Sequence, residues 1–381
     1  MRTRRRKMKI TDIEAIVVKQ PDIKMIGDGS QDTVVIKVHT DEGITGIGEV
    51  DSSPYVVKAI IETPPSHMVC IGLKDAVIGE DPFDVEKIWN KMYRLSYYYG
   101  RRSAAIHAMS GIDIAIWDII GKVLNKPIYK LIGGSYRDKI TAYCSLLMPE
   151  TEDEVKKIVN TYMPMGFQGI KFGWGSLGKD RYKDISLVKT ARNELGDKPY
   201  LMIDMGMVWK DAKSAIQMCN RFSEYGVYWV EEPFTPDNKD AYKRLSQSVD
   251  MRIAAGEELG TIYEFKEFIE ECGIDIVQPD LSRCGGITIA KKVLDLANYK
   301  SLPVIPHAFK TGILMSASLQ LIANMPYAPF LEYCSQETVL SKNLIKNHFT
   351  IDSGGYVHMP EGPGLGIEID EDVLEKYSVR I

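Results

Sequence analysis

Three carboxylates occupy equivalent positions along the chain, each at the end of a short apolar run. Asp204 ends the first of these runs, and Glu231 and Glu257 end the next two, at intervals of 27 and 26 residues. One strand–helix unit has about this length, so parallel strands would bring all three to one edge of a sheet. A single carboxylate there is more typical of a helix cap, but three at this interval favour a shared cation. Packed carboxylates need a counter-charge, and oxygen ligands suit Mg²⁺, or alternatively Mn²⁺, better than Zn²⁺.

Groups capable of acid–base chemistry lie at the ends of the neighbouring apolar runs. These groups are Lys171, Asp280 and His307. Asp280 and His307 are again 27 residues apart, and a carboxylate beside an imidazole fixes its tautomer and stabilises its protonated form. Lys171 would lie on the other side of the cation, whose charge lowers the pKa of a nearby lysine. We therefore predict that Lys171 and His307, the latter supported by Asp280, are the catalytic acid and base.

The elements that must position these groups fall into two parts, with a change of rhythm after Gly133-Gly134. The first part has a strand meander and then amphipathic helices, at residues 13–18, 33–40, 44–50, 55–62, 83–94 and 103–123. The second part has eight short strands that alternate with helices, at residues 140–146, 169–173, 200–205, 226–231, 252–257, 275–280, 303–307 and 330–332. The first part is therefore predicted as an α+β unit. The second is predicted as a parallel sheet closed into a (β/α)₈-type barrel.

A doubly wound open sheet is the competing interpretation of the second part. Its main sequence signal is G-x-G-x-x-G after an early strand, and the sequence has no such motif there. Polar residues recur instead at the C-terminal ends of most predicted strands, which is where barrel active sites lie. The barrel is therefore the favoured fold.

The composition limits the class of protein. The 381 residues are 45% hydrophobic and 26% charged, with a formal net charge of -5, which is ordinary for a globular protein and argues against general nucleic-acid binding. No uninterrupted apolar run reaches about 18 residues, so we expect no transmembrane helix. The six cysteines form no C-x-x-C pair, which favours free thiols in a reducing, cytoplasmic setting. The basic residues 1–7 precede no apolar segment, so we interpret them as a solvated tail.

In combination, these motifs resemble the enolase superfamily, and within its mandelate racemase/muconate lactonizing enzyme-like proteins the mandelate racemase subgroup. The matching segments are Ile203-Asp204, Val230-Glu231-Glu232-Pro233, Gly256-Glu257, Gln278-Pro279-Asp280 with Gly285-Gly286 after it, Pro306-His307 and Pro363-Gly364-Leu365-Gly366. The resemblance implies an α/β fold with an N-terminal α+β capping domain at residues 8–133 and a (β/α)₇β TIM-like barrel at 134–353. A C-terminal segment, 354–381, would return to the capping domain.

The resemblance also implies roles for individual residues. By this resemblance, Asp204, Glu231 and Glu257 would bind Mg²⁺. Lys171 and the dyad of His307 and Asp280 would be the acid–base groups. Glu332 would match a glutamate that contacts the substrate carboxylate. Gly169 replaces the first lysine of the subgroup's Lys-x-Lys motif, and a longer loop, 174–178, follows this strand. That departure implies a pocket different from that of the founding racemase.

Subgroup members with these residues are most often acid-sugar dehydratases, and we expect that activity here. Mg²⁺ would stabilise the enediolate formed when the proton alpha to a carboxylate is removed. Loss of the β-hydroxyl as water would then give a 2-keto-3-deoxy acid. Racemisation or epimerisation, and lactone cycloisomerisation, use the same groups and stay as alternatives. A non-catalytic sugar-acid binder would lack an acid–base residue. We expect a homo-oligomer with a small-molecule substrate, and neither a nucleic-acid nor a membrane partner.

Parts of the capping domain are expected to contact a hydroxylated substrate. Ser52, Tyr99 and Arg101 offer hydroxyl and guanidinium groups that suit a polyol or a second carboxylate. Packing at a helix start is the alternative interpretation of the Tyr/Arg-rich run 97–102. The glycine-containing loop 25–30 is a candidate lid, with a plain loop as the alternative.

Overall fold

The computed structural model describes residues 7–379 and begins with a three-stranded antiparallel sheet, as the sequence predicts. Its strands, in the order β1-β2-β3, are β1 (Ile10–Lys19), β2 (Asp32–Thr40) and β3 (Thr45–Val50). Five helices follow: α1 (Pro54–Glu62), α2 (Leu73–Val77), α3 (Val85–Leu95), α4 (Ala104–Leu124) and α5 (Ile128–Leu131). The sequence pattern did not predict α2, because its five residues are too short to show a helical period.

A second, parallel sheet curls into the predicted barrel. Its strands are β4 (Lys139–Leu147), β5 (Gly169–Gly173), β6 (Tyr200–Asp204), β7 (Val227–Glu231), β8 (Arg252–Ala255), β9 (Ile276–Val277) and β10 (Leu331–Cys334). Neighbours pair in this order, β10 pairs with β4, and Val304 bridges Val277 at the seventh strand position. The helices between strand positions are α6 (Glu152–Tyr162), α7 (Arg181–Leu195), α8 (Ala212–Ser223), α9 (Lys239–Ser246), α10 (Thr261–Glu271), α11 (Gly286–Tyr299) and α12 (Gly312–Ala323). The barrel prediction is confirmed, and the doubly wound alternative is wrong.

Large side chains fill the interior of the barrel below the ends of its strands. A cluster of buried residues includes Tyr143, Met202, Trp229, Ile276 and Phe330, each from a different strand or the residue before one. The rings of Tyr143 and Trp229 meet edge to face, with centroids 5.5 Å apart. The barrel is therefore a packed core, and a ligand can enter only at the rim.

Helix α4 connects the small sheet to the barrel. It lies directly on β3, where a Cβ atom added to Gly48 would lie 2.0 Å from the carbonyl oxygen of Gly111. The helix is long and apolar enough to cross a membrane, but 89% of its most apolar window is buried within the fold. On its barrel side, Asp113 accepts hydrogen bonds from the Thr288 backbone N–H (2.9 Å) and hydroxyl (2.5 Å). These contacts fix the end of β3 over the rim of the barrel.

The C-terminal segment contacts both parts of the fold. After α13 (Val339–Asn343), the strand β11 (Tyr356–His358) pairs antiparallel with β4, and α14 (Glu371–Tyr377) follows. The Leu365 N–H donates to Asp118 of α4 (2.8 Å), and the Val379 N–H donates to the Val17 carbonyl of β1 (2.8 Å). The segment therefore adds a strand to the barrel before it reaches the capping domain, which the sequence did not lead us to expect.

The close approach of Gly48 to Gly111 makes a prediction about stability. Gly48→Ala should lower the free energy of unfolding by about 3 kcal/mol, because a methyl group there would overlap a backbone oxygen that cannot rotate away. Urea unfolding followed by circular dichroism measures the change. Gly260→Ala is the matched control, since its Cβ would meet nothing closer than 3.4 Å, and it should cost less than about 1 kcal/mol. Equal losses in the two variants would contradict the argument.

Candidate active site

The three carboxylates at the strand ends form one buried cluster. Ligand atoms of Asp204, Glu231 and Glu257 all lie within 4.8 Å of one another. Asp204 and Glu231 are paired in the register of β6 and β7, whereas Glu257 lies two residues beyond β8. Burial, and then the neighbouring charge of Glu231, raise the pKa of Asp204 well above its usual range. The cluster thus carries negative charge that the protein's own groups do not fully compensate.

The donor set fits a divalent cation. All three residues are at least 96% buried, and their side chains offer only oxygen atoms. Among the residues that the structure describes, no group hydrogen-bonds to Glu257 Oε2, although this oxygen is buried. A buried carboxylate oxygen without a donor is costly unless a cation or water satisfies it. These residues therefore suit the predicted Mg²⁺.

Two groups that the sequence analysis missed orient Glu231. Its Oε2 atom accepts hydrogen bonds from Trp229 Nε1 and from Gln278 Nε2, each at 2.9 Å. Its Oε1 atom accepts from Lys171. Trp229 lies two residues before Glu231 on β7, so strand alternation places both side chains on the inner face. That alternation was the available signal. Both oxygens of Glu231 therefore already accept hydrogen bonds, and a cation at the cluster would share Oε1 with the Lys171 ammonium group.

Lys171 is buried between two carboxylates. Its Nζ forms ion pairs with Glu231 and with Glu332, the latter at 2.7 Å. Burial lowers the pKa of Lys171, but the charges of Glu231 and Glu332 outweigh it and raise the pKa well above its usual value. The predicted lowering therefore does not come from the protein's own groups, since these hold Lys171 as an ammonium ion.

Glu332 is anchored by three donors. Besides Lys171, its Oε1 atom accepts from the Ser145 hydroxyl (2.8 Å), and its Oε2 atom accepts from the Ala308 N–H (2.7 Å). Burial raises the pKa of Glu332, but Lys171 and His307 outweigh it and lower the pKa to about 2. Glu332 is thus an anion that lines the pocket and holds Lys171 in place.

His307 and Asp280 form the expected dyad. His307 Nδ1 lies 2.7 Å from Asp280 Oδ2, and the other Asp280 oxygen accepts from the Ser282 N–H (2.7 Å) and hydroxyl (2.6 Å). The remaining ring nitrogen, Nε2, lies 3.3 Å from Glu257 Oε2. Burial lowers the pKa of His307, but the charges of Glu257, Glu332 and Asp280 together raise it to about 10. With Nδ1 bound to Asp280, Nε2 is the atom available for proton transfer.

A pocket of about 310 Å³ opens above these groups. Lys171, Asp204, Glu257, His307 and Glu332 all line it. The capping domain contributes Asp51, which directly follows β3, and four residues of the candidate lid, namely Ile26, Gly27, Asp28 and Gly29. Trp174, in the loop after β5, also lines the pocket. The structure thus joins the predicted chemical groups to two loops of the capping domain.

Three predicted substrate contacts lie outside this pocket. Ser52 Oγ lies 3.0 Å from His107 Nδ1, so its hydroxyl is turned toward α4. Tyr99 donates its hydroxyl proton to the Ile71 carbonyl (2.7 Å), and Arg101 lines a separate surface groove with tyrosines of the capping domain and Tyr263 of α10. In the run 97–102, Tyr99 is thus partly buried, whereas Tyr97, Tyr98, Arg101 and Arg102 are exposed and lie away from this pocket.

The residues that line the pocket in their place are Asp51, Glu258 and Arg283. Arg283 Nη2 lies 2.5 Å from Asp51 Oδ2, and its Nη1 lies 3.4 Å from both Glu257 and Glu258. Arg283 follows Asp280 by three residues in a loop, and Asp51 directly precedes Ser52. Both lie beside residues that the sequence analysis named, but neither ends a predicted barrel strand.

Comparison with known proteins decides the family. Residues 153–373 match the family model described as enolase C-terminal domain-like, and residues 12–133 match the N-terminal domain of mandelate racemase/muconate lactonizing enzyme. The chain belongs to the mandelate racemase/muconate lactonizing enzyme family of the enolase superfamily. The resemblance inferred from the sequence motifs is thus confirmed, and the chain is an enzyme of this superfamily.

Its relatives in this family span nearly its whole length. It is 32% identical to arabinonate dehydratase of Saccharolobus solfataricus, over 94% of each chain. It is 30% identical to D-xylonate dehydratase of Haloferax volcanii, over 98% of this chain and 90% of that protein. The solved structure of the 3,6-anhydro-D-galactonate cycloisomerase from Zobellia galactanivorans superposes with a TM-score of 0.88 at 30% identity, over 98% and 100% of the two chains.

The place of Glu257 in the carboxylate cluster makes a prediction about the metal. Glu257→Gln should weaken Mg²⁺ binding at least about tenfold, because it removes one of three anionic ligands. Isothermal titration calorimetry of the metal-free protein measures the affinity directly, without an assay of turnover.

Glu258→Gln is the matched control, since it removes the same charge from the adjacent position, which lies outside the cluster. It should change the Mg²⁺ affinity by less than about threefold, as expected of a screened neighbouring charge. An affinity that falls equally in both variants, or in neither, would remove Glu257 as a ligand.

Proposed function

We propose that the protein is a Mg²⁺-dependent acid-sugar dehydratase that converts a sugar acid to a 2-keto-3-deoxy acid. One observation carries the proposal: Lys171 and His307 line the same pocket as the carboxylate cluster. They belong to barrel positions separated by β10 and β4, so they approach a bound substrate from different directions. A proton donor and a proton acceptor around one substrate are what an elimination of water requires.

The carboxylate cluster would hold the metal through Asp204, Glu231 and Glu257. Mg²⁺, when bound there, supplies Lewis-acid neutralisation of the charge that develops on the substrate carboxylate. Trp229 and Gln278 keep Glu231 oriented through their bonds to its Oε2 atom. The packed barrel floor excludes water from below.

The protein's own residues would move the two protons. A cation bound at the cluster would lower the pKa of Lys171 and of His307, and one of Lys171 Nζ and His307 Nε2, in its neutral form, would then accept the proton alpha to the carboxylate. The electron pair of that C–H bond forms the C=C bond as the β-hydroxyl leaves, and the other residue donates the proton that converts the hydroxyl to water. The resulting enol becomes the 2-keto acid by taking a proton at C3 and losing the proton of its C2 hydroxyl group. Asp280 orients the imidazole of His307 through its contact with Nδ1, and Glu332 positions the ammonium group of Lys171.

Two relatives support dehydration, since arabinonate and D-xylonate are sugar acids with a β-hydroxyl group. Cycloisomerisation is the second candidate, because the protein that superposes with a TM-score of 0.88 is a 3,6-anhydro-D-galactonate cycloisomerase. That reaction and epimerisation would use the same proton acceptor but a different second step. The product distinguishes the three reactions.

Replacing each acid–base residue tests the proposal. Lys171→Ala and His307→Ala should each lower turnover about 10²- to 10⁴-fold, because each removes a proton-transfer group. The assay is proton NMR in D₂O with Mg²⁺ and a panel of aldonic and aldaric acids. Lys179→Ala and His358→Ala are matched controls at exposed positions outside the pocket, and they should keep wild-type turnover.

The NMR product identifies the reaction. Dehydration gives a deuterated 3-deoxy-2-keto acid, and epimerisation gives α-deuterium exchange with a new epimer. Wild-type turnover in both alanine variants, with Mg²⁺ still bound, would contradict the assignment of Lys171 and His307.

A further inference from the structure

The pocket is rich in carboxylates on the side that faces the capping domain. Besides the metal cluster and Glu332, three further carboxylates line it, namely Asp28, Asp51 and Glu258. Within residues 7–379, the charged nitrogen groups that line it are those of Lys171, His307 and Arg283. The first two are the acid–base groups of the proposed reaction. Arg283 is thus the one remaining cation that could meet a charged group at the far end of a substrate.

The positive charge of Arg283 is already neutralised by carboxylates of the protein. Its closest contact is Asp51 Oδ2 at 2.5 Å, its Nη1 lies 3.4 Å from both Glu257 and Glu258, and its Nε lies 3.9 Å from Asp280. Its side chain is only 15% exposed. A second substrate carboxylate could bind Arg283 only in competition with these buried partners, which would lose their counter-charge.

Asp51 is held in this arrangement from its other side. Its Oδ1 atom lies 2.6 Å from Lys310 Nζ, and Lys310 also donates to the carbonyl oxygen of Gly29. The Lys310 side chain is 1% exposed, so its charge is confined beneath the pocket wall. Asp51 is thus fixed between two cations, while it still presents a carboxylate to the pocket.

These contacts differ in their consequences for two kinds of sugar acid. A hydroxyl group on the far end of a substrate can donate to Asp28, Asp51 or Glu258, as carboxylates accept such bonds readily. A carboxylate in the same place would meet like charges with no uncommitted cation in the part of the chain that the structure describes. Like charges in a partly buried site are strongly unfavourable.

We propose that the pocket selects aldonic acids, which carry one carboxylate and a neutral polyol chain, and rejects aldaric acids, which carry a carboxylate at each end. This inference rests on the proposed function, because that function places the first carboxylate at the metal cluster. Asp51 is the main specificity-determining residue, since it both faces the substrate and neutralises Arg283.

The first experiment compares matched pairs of acids that differ only at the terminal carbon, such as galactonic and galactaric acid. Calorimetry with Mg²⁺-loaded Lys171→Ala protein measures binding without turnover, and α-proton exchange in the wild type measures reaction. The aldonic member of the preferred pair should bind at least 100-fold more tightly than its aldaric counterpart. Equal affinity for the two members would overturn the inference.

The second experiment changes the charge that neutralises Arg283. Asp51→Asn should raise the ratio of aldaric to aldonic affinity at least tenfold, because Arg283 loses its closest anionic partner. Asp32→Asn is the matched control. Asp32 lies 3.7 Å from Lys310 Nζ but does not line the pocket, so its loss should leave the ratio unchanged. If Asp51→Asn does not fold, Glu258→Gln at the exposed edge of the pocket should shift the ratio in the same direction by a smaller factor.

The outcomes separate this inference from the proposed function. Exchange or dehydration of aldaric acids as readily as of aldonic acids overturns the selectivity and leaves the proposed function standing. Absence of α-proton exchange with every acid overturns the proposed function, and the inference with it. A ratio that Asp51→Asn and Glu258→Gln both leave unchanged removes Asp51 as the determinant.

Discussion

The structure depends on the balance of charge among carboxylates buried at one end of the barrel. The carboxylate cluster, the acid–base groups and the contacts of Asp51 together hold six buried carboxylates, at positions 51, 204, 231, 257, 280 and 332, and four cations, at positions 171, 283, 307 and 310. Uncompensated buried charge is very costly, and this set is short of two positive charges. A divalent cation would supply that difference, which is a physical reason for the proposed Mg²⁺ site at the carboxylate cluster.

The repeat of the barrel explains why most of this site could be predicted from sequence. Asp204, Glu231, His307 and Glu332 each lie in or directly after a strand position, so the interval of one strand–helix unit places them side by side. Residue type then limits the chemistry, because oxygen ligands, a lysine and a His–Asp pair have few common uses together. The same repeat made the barrel itself predictable. Even so, β9 has only two residues and the seventh strand position has one bridge. At both positions the polar residues of the site follow shortly after the short paired segment.

Loops follow tertiary contacts that no local pattern encodes, and the expected substrate contacts that do not line the pocket lie there. Ser52 and Asp51 are adjacent, yet packing of α4 on β3 turns Ser52 toward His107 and leaves Asp51 at the pocket. Tyr99 and Arg101 have suitable chemistry, but the Tyr99 hydroxyl donates to the Ile71 carbonyl and Arg101 lines a separate surface groove. Arg283 lies in a loop whose path is set where Gly285 meets Ser110 of α4. Its place in the pocket depends on its contact with Asp51 of the capping domain, and this contact exists only in the folded chain.

The two domains therefore contribute different parts of the activity. The barrel supplies the groups that any carboxylate substrate needs, namely a cation site and two proton-transfer residues. The capping domain would supply charge at the far end of the substrate. Here that charge is negative, because Asp51 forms an ion pair with Arg283 and Lys310 is buried beneath the pocket. Replacing Asp51 in the capping domain would leave Arg283 without its closest anionic partner, while the acid–base groups of the barrel stay in place. Under the proposed selectivity, the same barrel rim would serve acids of different charge in proteins that differ at this buried ion pair between Asp51 and Arg283.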